Sequence, residues 1–195
     1  MTSRPRPHPS STPPAAGSAR AVVLIGFMAS GKTSVGRALS HMLGWTFHDL
    51  DARVEAQEGR SIPQIFREAG EAHFRHAERE ALSTLLKELS PSSPAVIALG
   101  GGAFAQSEIR RLLAQAGVPA VWLDAPHEEL WQRCLGEAVD RPLARNQNQF
   151  RQLYEERRKH YTEAALHIHT NGKDVAEIAE ELIGRLGLNR HLKEK

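Results

Sequence analysis

The sequence predicts an α/β fold, a five-stranded parallel sheet flanked by helices, on three observations. Short apolar runs alternate with stretches of helical periodicity, the pattern of strands joined by crossover helices. One run, Ala95-Val96-Ile97-Ala98-Leu99, is unbroken apolar sequence between turn residues, as a strand buried on both faces requires. Another, Ala21-Val22-Val23-Leu24-Ile25, runs directly into Gly26-Phe27-Met28-Ala29-Ser30-Gly31-Lys32-Thr33, a match to GxxxxGK[ST] opening a helical segment.

Taken in order, the first strand is followed by a helix over about 32–43, which Gly44 ends. Trp45-Thr46-Phe47-His48 reads as a short second strand that delivers Asp49-Leu50-Asp51 to its C-terminal end, where open α/β sheets place ligands. Ser61-Ile62-Pro63-Gln64 combines a capping-box pattern with an early proline, so a helix runs to about Ala69 and Gly70 closes it. A longer helical pattern covers about 71–89, and Pro91-Ser92-Ser93-Pro94 is a loop. The third strand ends in Gly100-Gly101-Gly102. A helix over about 106–116 leads through Gly117 to a fourth strand at 119–123, and a helix over about 126–135 follows. Residues 136–149 are polar and irregular around Arg141-Pro142-Leu143, a candidate lid. A helix over about 150–162, a short fifth strand Leu166-His167-Ile168-His169, and a helix over 175–186 complete a domain expected to span 21–187.

Hydrophobic residues make up 41% of the 195 and charged residues 25%, the composition of a globular chain that can bury one ordinary core. A formal charge of +2, with acids and bases interspersed, gives no nucleic-acid footprint. Nor does any apolar run approach the length of about 18 residues that spans a bilayer. The single cysteine, Cys134, cannot close an internal disulfide, which makes a reducing cytoplasm the expected compartment; a monomer is the expected state. Residues 1–20 hold five of the eleven prolines and no acid, as a disordered tail would; a targeting peptide is the alternative, though the stretch lacks a secretory apolar core. Residues 188–195 form a polar C-terminal tail.

The chemistry begins at the phosphate loop. Backbone N–H groups at the positive end of a helix dipole cage phosphate oxygens, which assigns Ala29, Ser30, Gly31, Lys32, Thr33 and Ser34 to nucleotide binding. Lys32 can reach the β- and γ-phosphates, and the Thr33 hydroxyl can ligate Mg²⁺. Asp49 and Asp51 lie two apart: if the segment stays extended they approach one cation or one polyol from the same side, and otherwise they mark an acidic helix start. Arg75 and Glu78, three apart on a helix, form either a site pair or an ordinary surface ion pair. Three glycines after a buried strand suggest close backbone approach to a ligand. His167 with His169, His73 with His76, Cys134 and Trp122 read as structural.

These motifs, together with Ser61-Ile62-Pro63-Gln64-Ile65-Phe66, Phe74-Arg75 with Glu78, Leu99-Gly100-Gly101-Gly102-Ala103, Arg141-Pro142-Leu143 and Arg157 four residues before Tyr161, resemble shikimate kinase in order and spacing over about 21–187. The resemblance implies a P-loop fold of the nucleoside-monophosphate-kinase type and transfer of the ATP γ-phosphate to the 3-hydroxyl of shikimate, with Mg²⁺. It implies a substrate region at about 51–80, with Asp51 on the shikimate hydroxyls, Arg75 and Arg157 on its carboxylate, and Gly101 and Gly102 as backbone donors. Ile62, Phe66 and Phe74 match the apolar walls. Thr33 and Asp49 take the metal, and Arg141 closes over the phosphates. At the adenine end the sequence departs from many relatives: the usual arginine position is Cys134 with Arg133 beside it, and Lys173 stands where arginine is common.

Two other readings share the phosphate loop. A different small-metabolite kinase, such as a gluconate kinase, would not need Arg75 and Arg157 to converge on one carboxylate. A nucleotide-binding module that does not catalyse would not need acceptor-side residues at all.

Overall fold

A computed structural model of the chain describes residues 20–136 and 146–189. Its elements are β1 (Ala21–Ile25), α1 (Lys32–Leu43), β2 (Thr46–Asp49), α2 (Leu50–Glu58), α3 (Ile62–Glu68), α4 (Gly70–Glu88), β3 (Ala95–Ala98), a 3₁₀ turn (Ala103–Ala105), α5 (Ser107–Ala116), β4 (Ala120–Asp124), α6 (His127–Gly136), α7 (Gln147–Tyr161), β5 (Leu166–His169) and α8 (Val175–Leu186). The five strands are all parallel in the order β2-β3-β1-β4-β5, with β1 central.

The continuous apolar reading of β1 is explained by two cores. Ala21, Val23 and Ile25 face the larger one, with Leu50, Ile65, Leu82 and Phe150, while Val22 and Leu24 face a second built with Leu39 of α1 and Leu182 of α8. Every residue of β1 is buried, so no polar alternation was available to read. The parallel register places the residues after β1, β2 and β3 at one edge, which gathers the phosphate loop, Asp49 and the glycine triplet.

Three boundaries differ from the sequence reading. The chain turns helical at Leu50, directly after β2, so Asp51 lies in the first turn of α2 rather than along an extended strand. An aspartate N-cap does this: Asp49 accepts from the Asp51 N–H at 3.1 Å. Gly70 opens α4 instead of merely closing α3, its φ of +81° forming the corner between two nearly consecutive helices. Gly136 and Gln147-Asn148-Gln149, expected in the irregular segment, are helical, and Asn146 caps α7 by accepting from Asn148 and Gln149. Residues 137–145, including Arg141, lie outside the described residues.

Candidate active site

Gly26 leaves β1 at a point where a Cβ would fall 2.7 Å from Ser30 Oγ and 2.8 Å from the Leu123 carbonyl, so a side chain cannot be accommodated. Gly31, at φ +87°, turns the loop into α1 and presents Lys32, Thr33 and Ser34 in its first turn. Between them Ala29 adopts a left-handed φ of 59°, alone among the described non-glycine residues. Lys32 Nζ donates to the Gly26 and Phe27 carbonyls at 3.0 and 2.8 Å, folded back over its own loop. The loop borders a cleft of about 600 Å³ whose opposite side carries Asp49, Asp51, Glu55 and Ile62.

Asp49 splits its carboxylate between two tasks. One oxygen caps α2, and the other accepts from Thr33 Oγ1 at 3.2 Å. A hydroxyl and a carboxylate oxygen beside a phosphate cradle are hard ligands that suit Mg²⁺. Asp51 points into the same cleft by a different route from the expected extended one. Burial raises its pKa most, Asp49 adds to that, and Lys32 opposes it.

The glycine triplet has a separate physical reason at each position. A Cβ on Gly100 would lie 2.5 Å from Asp51 Oδ1 and 3.0 Å from Glu78 Oε1. One on Gly101 would lie 3.1 Å from Arg157 Nη1, and one on Gly102 2.7 Å from Arg75 Nη2. Three bare backbone positions thus admit four charged side chains from α2, α4 and α7. Tyr161, one turn beyond Arg157 on α7, donates its hydroxyl to the Gly101 carbonyl and pins the shelf. Burial raises the Tyr161 pKa, so the hydroxyl keeps its proton for that bond.

Arg75 and Glu78 are not a surface pair. Glu78 is 0% exposed and accepts from Arg75 Nη1 at 2.9 Å. Its burial raises the carboxyl pKa while Arg75 lowers it. Burial works against the Arg75 charge too, but Glu78 and then Glu71 outweigh it and the guanidinium is held more basic than usual. The guanidinium lies over the Phe74 ring at 5.2 Å, and Phe74 packs on Phe66 at 4.8 Å. Arg157 lies over the ring of Phe27, 5.5 Å from its centroid, so a residue of the phosphate loop supports the acceptor side.

A second cleft, about 470 Å³, opens on the other flank of the loop between Ala29, Ser34, Arg133 and Lys173. Arg133 Nη1 donates to the Ala29 carbonyl at 3.3 Å and pairs with Glu129, and Lys173 pairs with Glu181 at 2.6 Å. Trp122 is buried against Tyr161 and His167, and His169 lies 3.5 Å from Asp124. Sequence reasoning missed Glu55 and Gln106. Glu55 lies one helical turn after Asp51 and accepts from the Ile62 N–H at 2.8 Å, joining α2 to α3 across the cleft. Had α2 been recognised, that i, i+4 spacing would have signalled it.

A family model described as shikimate kinase matches residues 28–187. A shikimate kinase of Geobacter metallireducens is 43% identical over 179 residues, covering 90% of this chain and 97% of that protein. One from Persephonella marina is 38% identical over 167 residues, covering 86% and 99%. The structure is also similar to that of Acinetobacter baumannii shikimate kinase in complex with shikimate, with 34% identity, a TM-score of 0.77, and 87% and 93% of the two chains covered.

Proposed function

The chain belongs to the shikimate kinase family, and from that premise we propose which of its residues carry the reaction. The reaction is transfer of the γ-phosphate of ATP to the 3-hydroxyl of shikimate, giving shikimate 3-phosphate and ADP in aromatic amino-acid biosynthesis. One observation supports the residue assignment above the others: the Arg75 and Arg157 guanidiniums stand against adjacent glycines of one shelf, with Asp51 against the glycine before them. A cyclic acid with hydroxyls needs that set, two forked cations at one end and a carboxylate at the other.

In this reading Lys32 swings from the Gly26 and Phe27 carbonyls onto the β- and γ-phosphates, and the N–H groups of residues 29–34 hold the triphosphate. Asp51 accepts a hydrogen bond from the 3-hydroxyl and takes its proton as the bond to phosphorus forms; burial keeps it basic enough to do so. Arg75 and Arg157 fix the shikimate carboxylate and the Gly101 and Gly102 N–H groups close on its ring, so the hydroxyl cannot slide past the line of attack. Thr33 and Asp49 would hold Mg²⁺, which would neutralise phosphate charge when bound. Arg133 and Lys173 flank the base end of ATP. Arg141, outside the described residues, takes its lid role over the phosphates from the resemblance alone. The enzyme works as a cytoplasmic monomer; no helix among the described residues is long and apolar enough to cross a membrane.

Coupled ADP release measured with and without shikimate, and with gluconate in its place, tests the reading. Release that depends on shikimate supports it. Release with gluconate alone, or nucleotide binding with no turnover, would overturn it.

A further inference from the structure

Gln106 occupies a position that its residue type does not suit. It is the N-cap of α5, where serine, threonine, aspartate or asparagine is preferred, and its side chain makes no capping bond. The amide is spent elsewhere. Its oxygen accepts from Arg79 Nη1 at 2.9 Å, and its nitrogen donates to Glu78 Oε2 at 2.7 Å. Arginine only donates and an ionised carboxylate only accepts, so these two neighbours fix which way the amide faces. A residue that gives up a local preference for a buried contact is a signature of functional constraint.

The contact matters because of how Arg75 is held. Its Nε and Nη2 both donate to Glu71, and its Nη1 donates to Glu78. Of the five N–H donors of a guanidinium, that leaves one on Nη1 and one on Nη2, a forked pair. Those two nitrogens are the ones beside Gly102, 3.1 and 2.7 Å from where its Cβ would stand. Glu71 is 66% exposed in this pairing, so water competes for its bond, whereas Glu78 is wholly buried. The direction of the fork therefore depends on Glu78. Glu78 Oε1 has no hydrogen-bond partner among the described residues, which leaves Oε2 to do all the holding. Without the Gln106 amide, Arg75 would be the sole hydrogen-bond partner of that carboxylate among the described residues, and the group could turn about its last torsion.

We propose that Gln106 is a positioning residue for the acceptor: its amide fixes Glu78, and Glu78 aims the Arg75 fork at the carboxylate of the substrate lying on the glycine shelf. The proposal rests on the reading of Arg75 as a carboxylate clamp. It extends the acceptor site to a side chain that touches neither substrate.

Steady-state kinetics of Gln106→Ala, Gln106→Glu and Gln106→Asn beside the parent enzyme test it. Gln106→Ala is expected to raise KM for shikimate about tenfold and leave KM for ATP unchanged, since a hydrogen bond to a charged group is lost on one side only. Gln106→Glu keeps an acceptor for Arg79 but sets a second carboxylate against Glu78, so its KM for shikimate is expected to climb with pH while the parent's does not. Gln106→Asn, a better N-cap with a shorter reach, is expected to keep thermal stability and still show the raised KM. If both Gln106→Ala and Gln106→Glu retain the parental KM for shikimate, or if KM for ATP rises equally with a fall in Tm, the positioning role is wrong. A parent enzyme that releases no ADP with shikimate would instead overturn the functional reading and this proposal with it.

Discussion

The phosphate loop takes its polar groups from one unbroken stretch, residues 26–34, whereas the acceptor half draws Asp51 from α2, Arg75 and Glu78 from α4, the shelf from the turn after β3, and Arg157 from α7. The first half is mostly backbone, and its geometry is local: two glycines and the start of α1 suffice. The second is mostly side chain, and each member reaches the site only because two elements pack against one another. Damage to the loop or to Asp51 should therefore impair chemistry outright, while damage to the arginines and the glycine shelf of the acceptor half should weaken one substrate and spare the other. Phe27 under Arg157 is the point where the halves meet.

The largest effect expected is from Lys32→Ala, a fall in kcat of about 10²- to 10³-fold, because a cation aimed at the transferring group is lost. Single-turnover phosphate transfer measures it, and a kcat near the parental value would remove Lys32 from the chemistry. Asp51→Asn is expected to lower kcat by about 10²-fold, the size of a general-base contribution. It should also raise Tm. The Asp51 pKa is raised in the fold, chiefly by burial, so its contribution to stability is fully present below the ordinary carboxylate range and is lost as pH rises through the raised value. Asparagine has no charge to bury, and the Tm gain should be seen near neutral pH and vanish in acid. A variant less stable than the parent at neutral pH would contradict this sign.

Arg75→Ala and Arg157→Ala sharpen the comparison further. Each is expected to raise KM for shikimate about 30- to 100-fold, with KM for ATP within about twofold of the parent. Equal losses for both substrates would break the division between the halves. Gly102→Ala adds a single methyl where Arg75 Nη2 lies 2.7 Å away. The guanidinium must shift, and a rise of about tenfold in KM for shikimate is expected, at unchanged ATP affinity. The smallest effect belongs to the loop. Ala29 holds a left-handed φ of 59°, a conformation that costs an alanine about 1 kcal/mol. Ala29→Gly should relieve it, in part offset by the greater freedom of glycine in the unfolded chain, for a net gain of about 0.5 kcal/mol by denaturant melts.

The elements most legible in the sequence were those with local causes. The bounds of α1, β5 and α8 follow from a C-terminal glycine, a short apolar–polar alternation and a capping box, all within a few residues. The helix α2 was missed because its apolar face is thin: only Leu50 and Val54 are buried, and its start is set by one aspartate cap rather than by periodicity. The corner at Gly70 was read as an end, since glycine after a helix marks a stop equally well when another helix begins at once. Similarly, the spacing of Arg75 and Glu78 announced a pair, but spacing could not say that the Glu78 end of it is wholly buried.

What the sequence determined by itself was the parallel sheet, the phosphate cradle and, through the resemblance of its ordered motifs, the family and its reaction. These are properties of short segments, or of motifs in a line, and periodicity and turn chemistry report them directly. The tertiary structure alone decided why three glycines stand in a row, one for Asp51 and Glu78, one for Arg157 and one for Arg75. It also decided that one Glu78 oxygen has no partner among the described residues and that Gln106, making no cap bond, holds the other. Such contacts join residues 22 to 56 positions apart, and no local rule of a chain encodes a distance across its folded core.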